Sequence, residues 1–403
     1  MKIGIIGGGA SGMAAAFAAA QNPQAQVYLF ERQTRLGKKL QATGNGRCNL
    51  TNIADDGYHY HGDQPSFPVN ALNAFTPQDT LNWFASMGLY TTTEPSGRVY
   101  PYSNHANSVV DVLRFALEKE NIHIRTGFEV RNISKEANGF TVYGEGESYF
   151  CDKVIVACGG LAGTKLGGSL LGYRLLRSLG HKSTPLRPAL VQIKSDWVGC
   201  RALKGVRARC KADVYWDNTL IHHSTGELQF TEYGISGPVV FEISRDVCQD
   251  GGNWTCQLDF LPEMTLEQLY ATVSRPRWDK AEAEDLFTGI IHNRLGRVLT
   301  ASAGIPGKKL ISEMTQSEFM DACRLVKCLE INLTDLMGMD CAQVTAGGIL
   351  TVEFNPETME SRLLPDLYAC GEVLDVDGDC GGYNLQWAWS SGMLAGRSAG
   401  GLL

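Results

Sequence analysis

An α/β fold is what this sequence predicts, and three observations predict it. Lys2 to Ile6 is a short apolar run that passes through Gly7-Gly8-Gly9-Ala10-Ser11-Gly12 into an alanine-rich segment, Met13 to Ala20: a strand, a tight turn and a helix. From Ala189 to about Leu261 the chain contains segments that alternate apolar and polar residues, as antiparallel strands do. Beyond Pro262, the residues to Glu330 fall into helix-length segments with few β runs.

At 403 residues the chain exceeds one core of ordinary size, so two or three domains are expected. Its 44% hydrophobic and 20% charged composition is that of a globular protein. A formal net charge of −7 without a long basic run argues against a nucleic-acid partner. The N-terminal stretch is apolar, but glycines break it before the roughly 20 residues that a bilayer demands. We therefore expect no membrane span, no export signal and a cytoplasmic location. The 12 cysteines are scattered without a CxxC pair, which predicts reduced thiols and no metal site.

The N-terminal turn reads G-x-G-x-x-G in a strand-to-helix setting. Gly7 permits the tight turn, Gly9 lets a pyrophosphate approach the backbone, and Gly12 lets helix and strand pack closely. The helix start adds free N–H groups and a positive dipole end. A second β-rich run, Gln26 to Phe30, ends at Glu31, where a carboxylate can accept from a ribose 2′-OH. The cofactor is then FAD or NAD rather than NADP.

The next stretch separates those two: Arg32, then Gly37-Lys38-Lys39-Leu40, then Ala42-Thr43-Gly44-Asn45-Gly46-Arg47-Cys48-Asn49-Leu50-Thr51-Asn52. Small, glycine-dense and cation-bearing, it suits a loop lying along an extended phosphate and flavin. With Gly97 to Pro101, Ala157-Cys158-Gly159-Gly160, Phe230 to Pro238, Val344 to Gly348, Tyr368-Ala369-Cys370-Gly371-Glu372 and Asp375 to Gln386, these motifs resemble the BaiN-like (aminoacetone-oxidase-like) FAD-binding flavoproteins. Those proteins are relatives of the two-dinucleotide-binding-domain flavoproteins.

The resemblance implies an α/β protein with a discontinuous Rossmann-type FAD-binding domain over 1–187 and 341–403. A β-barrel-like domain over 188–262 and 331–340, and a small helical domain over 263–330, are inserted in it. Within 263–330 the helix-length segments are Leu266 to Val273, Lys280 to Leu295 and Gln316 to Leu329. The cofactor-binding set it implies is Gly7, Gly9, Ala10, Ser11, Gly12, Glu31, Arg32, Gly37, Lys38, Lys39, Gly46, Arg47, Cys48, Asn49, Val130, Cys158, Gly159, Gly160, Gly371, Glu372, Gly382, Tyr383, Asn384 and Leu385. Gly381 to Asn384 open a helix over Leu385 to Gly396, whose N-terminus aimed at the flavin N1/O2 region would stabilise charge that develops on reduction. Such proteins are associated with NAD(P)H-linked reduction of steroid-like enones and with O2-dependent oxidation of small amines. A small-molecule substrate is therefore expected, with NAD(P)H or O2 as a transient partner, because no second dinucleotide motif is present.

Several roles stay open on the sequence alone. Arg47 fits stabilisation of reduced flavin, an acidic substrate, or a salt bridge that fixes its loop. Cys48 has no cysteine partner nearby and reads as a buried small residue. His59, His61, His105, His222 and His223 receive no acid–base role, and no catalytic residue is assigned. Leu161 to Ser169 departs from the family pattern by lacking its proline, Cys158 stands where threonine is commoner, and this loop is expected to border the substrate.

Overall fold

The computed structural model describes residues 1–54, 58–119, 121–247, 251–275 and 280–403. Contacts divide the chain into two units, Met1–Pro188 with Ala342–Leu403, and Ala189–Cys341.

In the first unit, strand β1 (Lys2–Ile6) leads into helix α1 (Ala10–Ala19) and on to β2 (Gln26–Glu31). Strands β3 (Ile122–Thr126), β4 (Lys153–Val156) and β5 (Leu367–Ala369) complete a parallel sheet in the order β5-β4-β1-β2-β3. Ile5 sits between Leu29 and Ile155 in register, and all three are buried. Burial on both faces explains why these strands read as unbroken apolar runs instead of alternating. The order reverses at β1, so its carboxyl end opens at the switch point where doubly wound sheets bind ligands. Gly7, with φ 111°, makes the turn there. The stretch Phe128 to Cys151 is a three-stranded antiparallel sheet, one strand more than a hairpin.

The last helix, α2 (Tyr383–Ala399), begins before the predicted Leu385 and packs along α1. Gly392 lies on Ser11 and Ala14, Gly396 on Ala15 and Ala18, and Gly400 on Ala19. Contacts that advance together along both helices mean the two run parallel, with both N-termini at the same end. From the Ser11–Gly392 contact, α2 reaches back nine residues to Tyr383 and α1 only one to Ala10, so the two starts are offset by about 12 Å at 1.5 Å per residue.

The second unit is built on a closed six-stranded barrel ordered Ile193–Ser195, Gly234–Ser236, Thr219–Phe230, Arg207–Trp216, Trp254–Asp259 and Leu329–Leu336. Along Arg207–Trp216, Cys210, Ala212 and Val214 point into the core, which is the alternation visible in the sequence. Asp217 and Asn218, at φ 45° and 69°, form the turn of its hairpin. Helices Leu266–Val273 and Gln316–Lys327 start from the capping boxes of Thr265 and Thr315. They bury Leu269, Val273, Phe319 and Val326 in one core with the barrel. The helix expected over Lys280 to Leu295 does not form as such. A short turn, Ala283–Asp285, comes first, Gly289 then adopts φ 83°, and the helix starts only at Asn293, capped by His292. No helix among the described residues is long and apolar enough to cross a membrane.

A methyl group at Gly12 would overlap the Gly7 carbonyl, a backbone atom that cannot turn aside. We expect Gly12→Ala to destabilise the first unit by about 3 kcal/mol, the upper range for overpacking. Thermal melting of the apoprotein checks this, and an unchanged melting temperature would contradict the close helix–strand approach.

Candidate functional site

Helix α1 starts at Gly9 with no side-chain cap and no acidic residue in its first turn. Among the described residues, the backbone N–H groups of Ala10, Ser11 and Gly12 have no protein acceptor. An added Cβ at Gly9 meets nothing within 4 Å, so the turn faces open space. Glu31 lies beside it, its carboxylate accepting from Gly8 N at 2.8 Å and Gln33 N at 2.6 Å. Gly127 N donates to Gln33 O and Phe128 N to Glu31 O, which brings the buried Val130 stretch to the same sheet end. Free N–H groups, a cleared turn and an acid at the next strand end fit the pyrophosphate and ribose of a dinucleotide.

The start of α2 forms a second such end. Its N-cap, Gly382, has φ 108°, no side chain caps the helix, and the first turn carries no acid. The N–H groups of Asn384 and Leu385 have no protein acceptor among the described residues. The glycine-rich loop is stitched against this turn. Asn52 Nδ2 donates to Gly381 O at 3.1 Å, Trp389 Nε1 to Leu50 O at 2.9 Å, and Thr51 Oγ1 to the buried Gln386 Oε1 at 2.6 Å. Asn49 Oδ1 is buried without a hydrogen-bond partner, and an added Cβ on Gly382 would stand 2.9 Å from it. An unsatisfied buried amide oxygen in a folded protein calls for a donor, and a flavin ring edge carries one. The residues present therefore fit FAD.

Other residues singled out in the sequence have protein partners. Arg47 pairs with Glu94 at 2.7 Å, donates to Asn104 Oδ1 at 2.6 Å and stacks on Tyr100 with 3.8 Å to the ring centroid. Of its open roles, the loop-fixing salt bridge is the one the geometry displays. Lys39 pairs with Glu372 at 2.8 Å, and Glu372 also accepts from Thr345 N. A Cβ on Gly160 would stand 2.5 Å from Glu372, so this glycine admits the carboxylate. Lys38 reaches Gln33, and Arg32 donates to Gly167 O at 2.7 Å. The loop Leu161 to Ser169, expected beside the substrate, thus rests at Gly167 against the residues that follow β2. Gly371 is held by Ser391 Oγ and abuts Ser11, which ties β5 to both helices.

The Asn384 side chain is committed to the chain itself, with Gly378 N donating to its Oδ1 at 2.8 Å and its Nδ2 donating to Gly378 O at 2.6 Å. Its backbone N–H is the group left without a protein partner among the described residues. Cys48 is buried with φ 62°, and burial pushes its thiol up to about 12; Cys158 is pushed up to about 12 by the same cause. Neither is a thiolate at neutral pH.

Two histidines left without a role converge on one carboxylate. His59 Nδ1 and His61 Nε2 lie 2.9 and 2.7 Å from the two oxygens of Asp379, just ahead of α2. Spacing of two along extended chain puts both rings on one face, a signal present in His59-Tyr60-His61, but their acceptor lies far along the chain.

Comparison with known proteins agrees with this architecture. Residues 1–398 match the family described as HI0933-like protein Rossmann domain. The chain is 43% identical to the 3-dehydro-bile acid delta(4,6)-reductase of Clostridium scindens, over 99% of this chain and 98% of the relative. It is 32% identical to a ribosomal RNA dihydrouridine synthase of Escherichia coli, over 96% and 95% of the two chains. In fold it is similar to 3-ketosteroid delta1-dehydrogenase from Sterolibacterium denitrificans, with TM-score 0.53, 12% identity and 99% coverage of both chains.

Because the Gly9 position faces open space and its extended backbone tolerates a branched residue, Gly9→Val should fold normally and place its side chain where the pyrophosphate must approach. We expect loss of bound FAD with an unchanged apoprotein melting temperature; full flavin occupancy would contradict the assignment. The match over residues 1–398 and the two helix starts together make the conclusion plain: the chain belongs to the HI0933-like protein Rossmann-domain family and is an FAD-dependent oxidoreductase.

Proposed function

We propose that this enzyme reduces a carbon–carbon double bond conjugated to a carbonyl in a small, largely apolar ring substrate, with a nicotinamide nucleotide as electron donor. The carrying observation is the 43% identity, end to end, with a protein named for reducing the 4,6 double bonds of a 3-oxo bile acid. The name of the second relative describes kindred chemistry, since dihydrouridine arises by saturating a ring double bond conjugated to a carbonyl.

When bound, FAD supplies the hydride-transfer chemistry at N5. The chain's own part is to orient and polarise. The first turn of α2 presents the Asn384 and Leu385 N–H groups and the positive end of the helix, which favours negative charge near it. The Arg47–Glu94–Asn104 brace and the Thr51–Gln386 bond hold the glycine-rich loop rigid beside that turn. Gln386 also accepts from Thr80 at 3.0 Å and donates to Phe75 O, so the support runs two layers deep.

A small molecule suits the charge distribution better than a polyanion. On the barrel, Arg207 pairs with Glu227, Arg209 with Glu263, Lys204 with Glu232 and Lys194 with Asp335. Cations already balanced by carboxylates contribute little to a phosphate-binding stripe.

Anaerobic stopped-flow separates the alternatives. NADH or NADPH should bleach the flavin of the holoenzyme, and a 3-oxo-4-ene steroid should then restore its colour with formation of the saturated ketone. If the steroid leaves the reduced enzyme untouched and an oxygen pulse reoxidises it rapidly with peroxide release, the enzyme is an oxidase and the proposal fails.

A further inference from the structure

Strand Arg98–Pro101 runs between Thr51–Asn52 and Thr91–Thr93 in a small antiparallel sheet of the first unit. Asn52 stands opposite Arg98 in its register, so the two side chains share a face. Both reach the turn ahead of α2, Asn52 bonding Gly381 O and Arg98 donating to Cys380 O at 3.3 Å. Tyr100 is two residues beyond Arg98 and projects from that same face. The edge of its ring lies on the glycine-rich loop. A Cβ on Gly44 would stand 3.3 Å from Tyr100 Cε1, the carbon next to the one that bears the hydroxyl, and 2.8 Å from Asn49 N. Asn49 in turn meets Gly382, the N-cap of α2.

Tyr100 is only 5% exposed, yet its hydroxyl has no hydrogen-bond partner among the described residues. Nor is it one of the unpaired side-chain oxygens sealed inside the protein, so the oxygen opens onto free space beside the loop. A covered hydroxyl with no partner is a donor held ready for a ligand. Its surroundings are cationic on two sides: the Arg47 guanidinium lies over the ring at 3.8 Å from the centroid, and Arg98 acts on the phenol from along the strand. Burial and the Glu94 carboxylate nevertheless outweigh these cations and push the phenol above its ordinary value. At neutral pH the group is therefore an O–H donor.

We propose that the Tyr100 hydroxyl donates a hydrogen bond to the carbonyl oxygen of the substrate and stabilises the enolate that forms there when the conjugated double bond is reduced. This rests on the ene-reductase reading above. The hydride, carrying both electrons from the reduced cofactor, forms the new bond at the β carbon. The π pair of the double bond shifts towards the carbonyl, whose oxygen gains the negative charge that Tyr100 meets. A proton from water then bonds to the α carbon and the carbonyl is restored. Tyr100 keeps its own proton throughout. Arg47 and Arg98 act through the phenol and are positioning residues.

The test replaces the hydroxyl alone, in Tyr100→Phe. Its first readout needs no turnover: binding to the oxidised holoenzyme of equilenin, a steroid naphthol that mimics the enolate and whose fluorescence distinguishes its neutral from its ionised form. We expect affinity to fall by about 10-fold, as for loss of a hydrogen bond to a charged group. In the second, holoenzyme reduced anaerobically with dithionite is mixed with a 3-oxo-4-ene steroid, and reoxidation should slow by about 10²-fold, the usual cost of removing one donor from a developing oxyanion. FAD content, melting temperature and flavin reduction by NAD(P)H should stay at wild-type values. Unchanged naphthol affinity, or a wild-type reoxidation rate, in Tyr100→Phe overturns the inference and leaves the ene-reductase reading standing. A wild-type enzyme that the steroid cannot reoxidise overturns both. Should Tyr100→Phe fail to fold or to keep FAD, Glu94→Gln decides instead. It keeps an acceptor for Arg47 and removes the opposing charge, so the ionised fraction of bound naphthol should rise, and an unchanged fraction overturns the inference.

Discussion

The close parallel packing of α1 on α2 is the contact on which the rest of the FAD unit depends. An added Cβ on Gly396 would stand 2.8 Å from Ala18 Cβ, and one on Gly392 3.0 Å from Ala14 Cβ, so the helices meet nearly backbone to backbone. Such an approach needs small residues on both faces, and α1 supplies Ser11, Ala14, Ala15, Ala18 and Ala19. It joins residues at opposite ends of the chain. It also sets two uncapped helix starts at one end of the unit, offset by about 12 Å along the axis. The unit thus presents the positive end of a helix twice at one end.

Around these helix starts the chain keeps its own charges occupied. Lys39 is paired with Glu372, Arg47 with Glu94, and Arg32 is bound to a carbonyl. Among the described residues, the backbone N–H groups of Ala10, Ser11, Gly12, Asn384 and Leu385 and the side-chain oxygen Asn49 Oδ1 have no protein partner. Fixed dipoles of this kind need no reorganisation when charge develops, and charged side chains serve as braces that hold the loop bearing them.

The fold was legible where local pattern decides it. The β1 and α1 segments, the Arg207–Trp216 strand and the Leu266–Val273 and Gln316–Lys327 helices follow from periodicity and capping residues within each segment. The segment from Lys280 to Leu295 misled because Gly289 and the His292 cap set the helix start late, and neither interrupts the apolar spacing. At the site, the glycine turn and its acid could be read, because their chemistry demands particular residues at short spacing. The partners of Arg47, Asn384 and His59 could not. Asp379 lies 320 residues from His59, Asn104 57 and Glu94 47 from Arg47, and Gly378, though only six residues from Asn384, is held by a strand partner at Tyr60–His61; no local spacing announces such contacts.

We propose that one FAD is held by both ends of the chain, adenosine diphosphate at α1 and flavin at α2. A titration of the apoprotein with FAD and, separately, with FMN, followed by flavin fluorescence, tests it most directly. One FAD should bind tightly per chain and FMN much more weakly, because FMN lacks the half that α1 and Glu31 would hold. Equal affinity for the two flavins, or no binding of either, would contradict it.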